Sequence, residues 1–227
     1  GQILAHMGLD RPDEYRISYK LLTEGRSRSE LRILAAALPT AEAAMAPQTV
    51  RATGAPAPRS IEVASLATLT ALIHGKGAKT ASETTASLEL GARSSLFALF
   101  SKNIPVLIRK FDFGTDTVIQ QVQQGAGVSA DVAREIVSSG SIDISHWLTE
   151  AAQPFIKQLL LSRDFVERRE NCRISQFFLT GGGAGLLPLR QEIEKALGLT
   201  FQVWNPLDGL TADPNAIAEG AKGQEHR

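Results

Sequence analysis

Phe178-Leu179-Thr180-Gly181-Gly182-Gly183-Ala184-Gly185-Leu186 is the stretch that decides how this chain folds. It continues an apolar strand, Cys172 to Leu179, and runs into an amphipathic helix, Leu186 to Leu197, which Gly198 closes. Three glycines between a buried strand and a helix let the backbone pass very close to a ligand, because no Cβ stands in the way. The start of the helix offers unpaired N–H groups to an anion or a polar ring. A tight turn without any ligand accounts for three glycines about equally well. A dinucleotide fingerprint fits poorly. Its third glycine would fall on Leu186, and the strand after the helix ends at Asn205 rather than at a carboxylate.

Working outward, Phe201 to Trp204 reads as a further strand, followed by Asn205-Pro206-Leu207 and a polar tail from Thr211. Upstream, His146 to Arg169 is the longest helix. Leu148, Ala152, Phe155, Leu159 and Val166 form its apolar stripe, Pro154 is expected to kink it or to mark a new start, and the arginines at its end read as a solvated face. Thr117–Gln124 and Ser129–Ser138 are shorter helices split by Gly125-Ala126-Gly127, with Ser129 as N-cap. Ala86–Phe100 and Ile104–Phe113 read as the arms of a β-hairpin around a three-residue turn, Ser101-Lys102-Asn103. Ser60 to Ile73 keeps a helical period, and Gly75 to Thr85 is a polar connector. The connector's Gly-Lys-Gly-Ala-Lys-Thr lacks the glycines of a phosphate-binding P-loop, since Ala78 and Ile73 stand in their places. Near the start, Arg16–Leu22 and Leu31–Leu38 are strands. Thr40 is placed to cap a helix over Ala41–Thr53 that Gly54 ends. Strands alternating with helices make the class α/β with a mixed sheet.

A second chemical signal lies in Leu88-Glu89-Leu90-Gly91-Ala92-Arg93-Ser94-Ser95. A carboxylate and a glycine at a strand bend, followed by two hydroxyls, can set N–H and O–H groups around phosphates while Glu89 holds a hydrated magnesium. Taken alone, Glu89 reads more simply as a charged residue on the open face of a hairpin.

Composition narrows the function classes. The 227 residues carry 24 Lys plus Arg against 24 Asp plus Glu, a net charge of zero, which argues against a general nucleic-acid binder. The chain is 43% hydrophobic and 21% charged, a folded composition, and its apolar runs, such as Ile33 to Leu38, are far shorter than the roughly 18 residues that span a bilayer. No basic segment followed by an apolar one opens it, so no export signal is expected. The single cysteine, Cys172, excludes an intrachain disulfide framework, and His6, His74, His146 and His226 lack ligand spacing.

The two signals stand about ninety residues apart, in the order acidic-glycine hairpin, helical insertion, strand–glycine–helix. In that order they resemble the second half of the actin-like ATPase fold. More closely, the chain resembles the PilM family of type IV pilus assembly. The likeness is carried by Leu88-Glu89-Leu90-Gly91-Ala92, by Ile104 to Arg109 with Phe113-Gly114, and by Ser129 to Glu135. Ser162 to Glu170, Phe178 to Leu186, Val203 to Leu207 and, upstream, Leu31 to Ala55 with Ser60 to Val63 extend it. The family's Asp is Glu89 here and the second glycine of its Gly-Gly is Thr115. Its first phosphate hairpin and most of its first core subdomain have no counterpart, so the chain is expected to be the C-terminal two-thirds of such a protein.

The resemblance implies an actin-like, ribonuclease H-like fold truncated at its first lobe. It implies a strand–helix subdomain remnant over 1–54, a helix and connector over 55–85, a second lobe over 86–210 with a helical insertion near 117–170, and a tail over 211–227. It implies ATP and Mg²⁺ as cofactors, with Glu89, Gly91, Ala92, Ser94 and Ser95 on the phosphate side, Gly181, Gly182 and Gly183 on the adenosine side, and Glu89 touching the metal through water. It further implies a cytoplasmic scaffold, peripheral to the inner membrane, whose partners are a PilN-type membrane protein and other assembly-platform proteins of a pilus or related type II secretion system. At most it would be a weak ATPase. The alternatives are a degenerate contact module that binds no nucleotide, and a small-metabolite kinase or hydrolase with Glu89 as the only base the motif supplies.

Overall fold

The computed structural model describes residues 7–9, 11–24, 31–54, 56, 58–75 and 84–208. The chain divides into two units, Gly1–Ala64 and Ser65–Arg227. Most of the connector, including all of its Gly-Lys-Gly-Ala-Lys-Thr but Gly75, lies outside the described residues, and so does the tail from Thr211.

In the first unit β1 (Tyr15–Glu24) pairs antiparallel with β2 (Leu31–Pro39), and α1 (Thr40–Ala52) follows. The register sets Tyr19 opposite Ala35 and Leu21 opposite Ile33. Alternation then collects Tyr15, Ile17, Tyr19, Leu21, Ile33, Ala35 and Ala37 on one sheet face. Thr40 does not cap α1 as expected. It is the first helical residue, and the capping position falls to Pro39, which brings no side-chain acceptor.

The second unit is a five-stranded sheet in the order β5-β4-β3-β6-β7, made of β3 (Thr84–Leu90), β4 (Ser95–Ser101), β5 (Ile104–Phe111), β6 (Gln176–Thr180) and β7 (Gln202–Val203). β3, β4 and β5 run antiparallel, while β6 lies parallel to β3 and β7 parallel to β6. The expected hairpin is therefore a three-stranded meander. Its long first arm breaks at Gly91–Ser94, where the Gly91 N–H donates to the Ser94 carbonyl at 3.1 Å and turns the chain. The other turn holds two residues rather than three, Lys102 and Asn103, at φ 52° and 61°. Paired left-handed residues are what the twist of a tight hairpin favours.

Helices α3 (Thr115–Ala126), α4 (Ala130–Ser139), α5 (Ser145–Glu170) and α6 (Leu187–Leu197) pack with one face of the sheet. Ala86, Leu88 and Leu90 of β3 meet Val118, Val122, Leu159 and Ile193 there, and Phe155 stacks on Phe113 with centroids 4.4 Å apart. Each large apolar side chain buried this way contributes roughly 1.5–3 kcal/mol. On the opposite face α2 (Ala64–His74) lays Leu69 and Leu72 against Ala98, Phe100, Phe178 and Trp204. The expected helix over Ser60–Ile73 thus begins only at Ala64.

α5 is assigned as one helix of 26 residues through Pro154, with its buried stripe, from Leu148 to Val166, spanning both sides of the proline. The strand expected from Cys172 begins four residues later. The Cys172 and Ile174 amides are drawn to the carbonyl and carboxylate of Glu167, and the Ser175 amide to the Thr84 carbonyl. Among the described residues, no helix is long and apolar enough to cross a membrane.

Candidate functional site

β3 and β6 are adjacent and parallel, so their carboxyl ends open on the same edge of the sheet. Loops that follow such ends are where open α/β sheets hold ligands. Glu89 is the penultimate residue of β3. It stands opposite Thr180, the last residue of β6, and opposite Leu96 of β4. Carrying the β6–β7 register one step further brings Trp204 beside Thr180, where its N–H donates to the Leu179 carbonyl at 3.0 Å. Glu89, Thr180 and Trp204 therefore share the sheet face on which α2 packs. Thr180 and Trp204 are almost completely buried. The Glu89 Oε2 and Trp204 Nε1 atoms are buried and have no hydrogen-bond partner, as is Ser87 Oγ two residues before Glu89 on the same face. An unsatisfied buried carboxylate oxygen is costly, and its usual explanation is a water, an ion or a bound group.

The glycines after β6 divide into two kinds. Gly181 has φ 90° and ψ 166°, a region essentially closed to other residues. A Cβ on it would stand 2.4 Å from the Leu90 carbonyl oxygen, and one on Gly183 would stand 2.8 Å from the Leu90 Cβ. These two are required by the close approach of the loop to the end of β3. Gly182 is exposed, and a Cβ on it would meet nothing within 4 Å. Nothing in the fold calls for a glycine there, so Gly182 is the one of the three left for a ligand. The helix expected over Leu186–Leu197 runs from Leu187 to Leu197, and the glycines before it are themselves wound into a turn. This is a 3₁₀ turn, Gly182–Gly185, with the Ala184 N–H donating to the Gly181 carbonyl and the Leu186 N–H to the Gly183 carbonyl. Pro188 then removes one donor from the first turn of α6.

The turn after β3 is held by α3. The Thr115 N–H donates to the Gly91 carbonyl at 3.1 Å and the Asp116 N–H to the Ala92 carbonyl at 2.8 Å. Thr115 thus anchors the turn through its backbone. Ala92 is exposed and Ser94 partly so. Ser95 is buried, and its hydroxyl donates to the Phe113 carbonyl at 2.7 Å.

Of the eight candidate residues, Glu89, Gly91, Gly181 and Gly183 are brought together at the touching ends of β3 and β6, and Gly182 opens outward beside them. Ser95 has its hydroxyl committed to the protein interior. Sequence reasoning missed Thr180, Trp204 and Ser87. Thr180 sits inside the decisive stretch, and counting alternate residues back from Glu89 and on from Gln202 places the other two on the same face. What the site offers chemically is one carboxylate oxygen without a partner, an indole N–H, a hydroxyl and an uncovered glycine backbone. That set suits a hydrated cation beside a phosphate ester.

A family model for the type IV pilus assembly protein PilM matches residues 13–222. Among solved structures, the PilM-PilN type IV pilus biogenesis complex is similar with a TM-score of 0.78 at 19% identity, over 99% of this chain and 66% of that one. MreB 5 of Spiroplasma citri, bound to AMPPNP, is similar with a TM-score of 0.53 at 12% identity, over 73% of this chain and 60% of that one. This chain therefore spans just under two thirds of the first of these structures. No curated protein matches it in sequence. At such identities the structural likenesses establish the fold, which is actin-like. With one family model running over nearly all of its described residues, the chain belongs to the type IV pilus assembly protein PilM family.

Proposed function

We propose that this chain serves as a scaffold on the cytoplasmic face of the inner membrane in type IV pilus or related type II secretion assembly, docking a PilN-type membrane protein. The observation that carries this reading is the continuity of the family match from residue 13 to residue 222. The solved PilM-PilN complex aligns over 99% of the chain, and its two named components supply the partner. The open sheet face of the first unit supports a docking role, with Tyr19 66% and Leu21 50% exposed on it. The direct test is capture of the purified chain by an immobilised cytoplasmic tail of a PilN-type protein. Failure of the tail to retain it removes this reading.

We further propose that ATP with Mg²⁺ binds at the ends of β3 and β6. The residues present fit that group. Glu89 Oε2 is a buried acceptor without a partner, and Gly182 leaves its backbone uncovered. Glu89 would hold the hydrated metal and Gly182 would lie against the nucleoside. The bound metal would neutralise phosphate charge, and the role of the nucleotide would be structural. Thermal denaturation titrated with Mg²⁺ and ATP, with ADP in parallel, tests this. Ligand at a hundred times its Kd should add about 2.7 kcal/mol. A second reading, a contact module without nucleotide, is favoured by Ser95, whose hydroxyl is already spent on Phe113. No shift in the titration selects that module and leaves the scaffold role standing.

A further inference from the structure

The outward side of α5 carries two large apolar side chains one turn apart. Leu161 and Phe165 are each 54% exposed, while Leu159, Ser162 and Val166 turn the opposite side of the helix into the core. With Asp164, Arg168 and Arg169 they line an open groove of about 620 Å³. The Arg169 guanidinium lies 5.2 Å from the centroid of the Phe165 ring and donates to the Val106 carbonyl of β5 at 3.0 Å, which steadies one wall.

The charge around this groove is one-sided. Asp164 is bonded to Arg163 at 2.8 Å, and Arg169 to Glu170 at 2.9 Å, so the carboxylates there are neutralised within their own pairs. Lys157, four residues before Leu161, and Arg168, three after Phe165, are both exposed. They add a positive charge one turn beyond each end of the apolar pair. Strand addition at the neighbouring edge is blocked, because Pro105 has no N–H and Arg169 occupies the Val106 carbonyl. A lipid surface suits it less well, since interfacial binding scales with buried apolar area and, among the described residues, Leu161 and Phe165 are the only large apolar side chains in the lining. Leu161 and Phe165, one turn apart, form an i/i+4 ridge of the kind against which a second helix packs.

We propose that this groove docks a helical segment of a partner protein that presents large apolar side chains between carboxylates. Leu161 and Phe165 form the floor, and Lys157 and Arg168 set the register by pairing with the partner's acids. The proposal uses neither the nucleotide loops nor any residue of the first unit.

The test uses the full chain and two blocked synthetic peptides about five helical turns long. One carries leucines at i and i+4 with glutamates a turn to either side, and its twin carries lysines in place of the glutamates. Fluorescence anisotropy should show binding of the glutamate peptide in preference to the twin. Phe165→Ser should weaken it by about tenfold or more. Arg168→Glu should erase the preference, with the thermal midpoint of each variant close to wild type. Equal binding of both peptides, binding of neither, or indifference to Phe165→Ser and Arg168→Glu overturns the proposal. So does sedimentation of the chain with phosphatidylglycerol vesicles that Phe165→Ser abolishes, which assigns the groove to a membrane. A dimer in analytical ultracentrifugation that Phe165→Ser dissolves assigns it instead to a second copy.

Discussion

Gly181 and Gly182 are neighbours in a run of identical residues, yet the structure gives them opposite duties. Gly181→Ala forces a Cβ to 2.4 Å from the Leu90 carbonyl oxygen in a backbone region that alanine avoids. It should cost about 3 kcal/mol or more, read as a lowered urea midpoint with or without nucleotide. Gly182→Ala meets nothing within 4 Å, so its midpoint without ligand should stay within about 0.5 kcal/mol of wild type. If a nucleotide seats there, Gly182→Ala should instead shrink the stabilisation by Mg²⁺-ATP. An equal response of both variants to ATP would place the ligand elsewhere. The glycine turn was legible because a Gly-rich stretch after an apolar strand frees the backbone to turn there, with or without a ligand. That Ser95 points inward was not legible, because only the three-dimensional position of the Phe113 carbonyl decides it.

At the scale of elements, patterning located nearly every helix and strand, and the misses have local causes. Gly125 reads as a helix breaker, yet α3 runs through it to Ala126. The reason lies in another helix. Trp147 of α5 packs where a Cβ on Gly125 would be, 2.0 Å from its Nε1, so the glycine is there for packing rather than for a turn. The start of α5 carries its own prediction. Asp143 accepts from the Ser145 N–H at 2.9 Å and from the Ser145 hydroxyl at 2.6 Å. The side-chain bond, then the backbone bond, hold its carboxyl below the ordinary aspartate range. A depressed carboxyl stabilises the fold above the unfolded aspartate pKa and loses that contribution as pH falls through the folded value. Wild type should therefore exceed Asp143→Ala in stability near neutral pH, and the gap should close in acid. Urea melts of the pair across pH 2 to 7 measure it, and a gap that widens in acid contradicts the assignment.

At the scale of the molecule, the two units differ in what holds them. Among the described residues, every buried hydrophobic side chain lies between Leu69 and Trp204. α1 buries none, and the β1–β2 pair stands in a unit without a core residue. Two strands and a helix without a sealed core are marginal in water. A fragment of residues 65–227 should therefore melt cooperatively with its own near-UV signal, while one of residues 1–64 should show no cooperative transition. A sharp, two-state melt of the short fragment would show that its half-buried side chains suffice.

The sequence by itself determined the alternation of strands and helices, the glycine turn at Gly181–Gly183, the acidic residue before Gly91 and the family to which these belong. The first three rest on local physics, namely side-chain periodicity and the conformations open to glycine, and the family rests on the likeness of the quoted motifs. Only the tertiary structure decided that β3 and β6 lie side by side and parallel, because their pairing joins residues about ninety positions apart. From that pairing follow the meeting of Glu89 with Thr180 and Trp204, the clash that requires Gly181, and the open space at Gly182. The exposure of Leu161 and Phe165 is of the same kind. A helical stripe shows which residues share a face, but which face the sheet covers depends on where the helix docks.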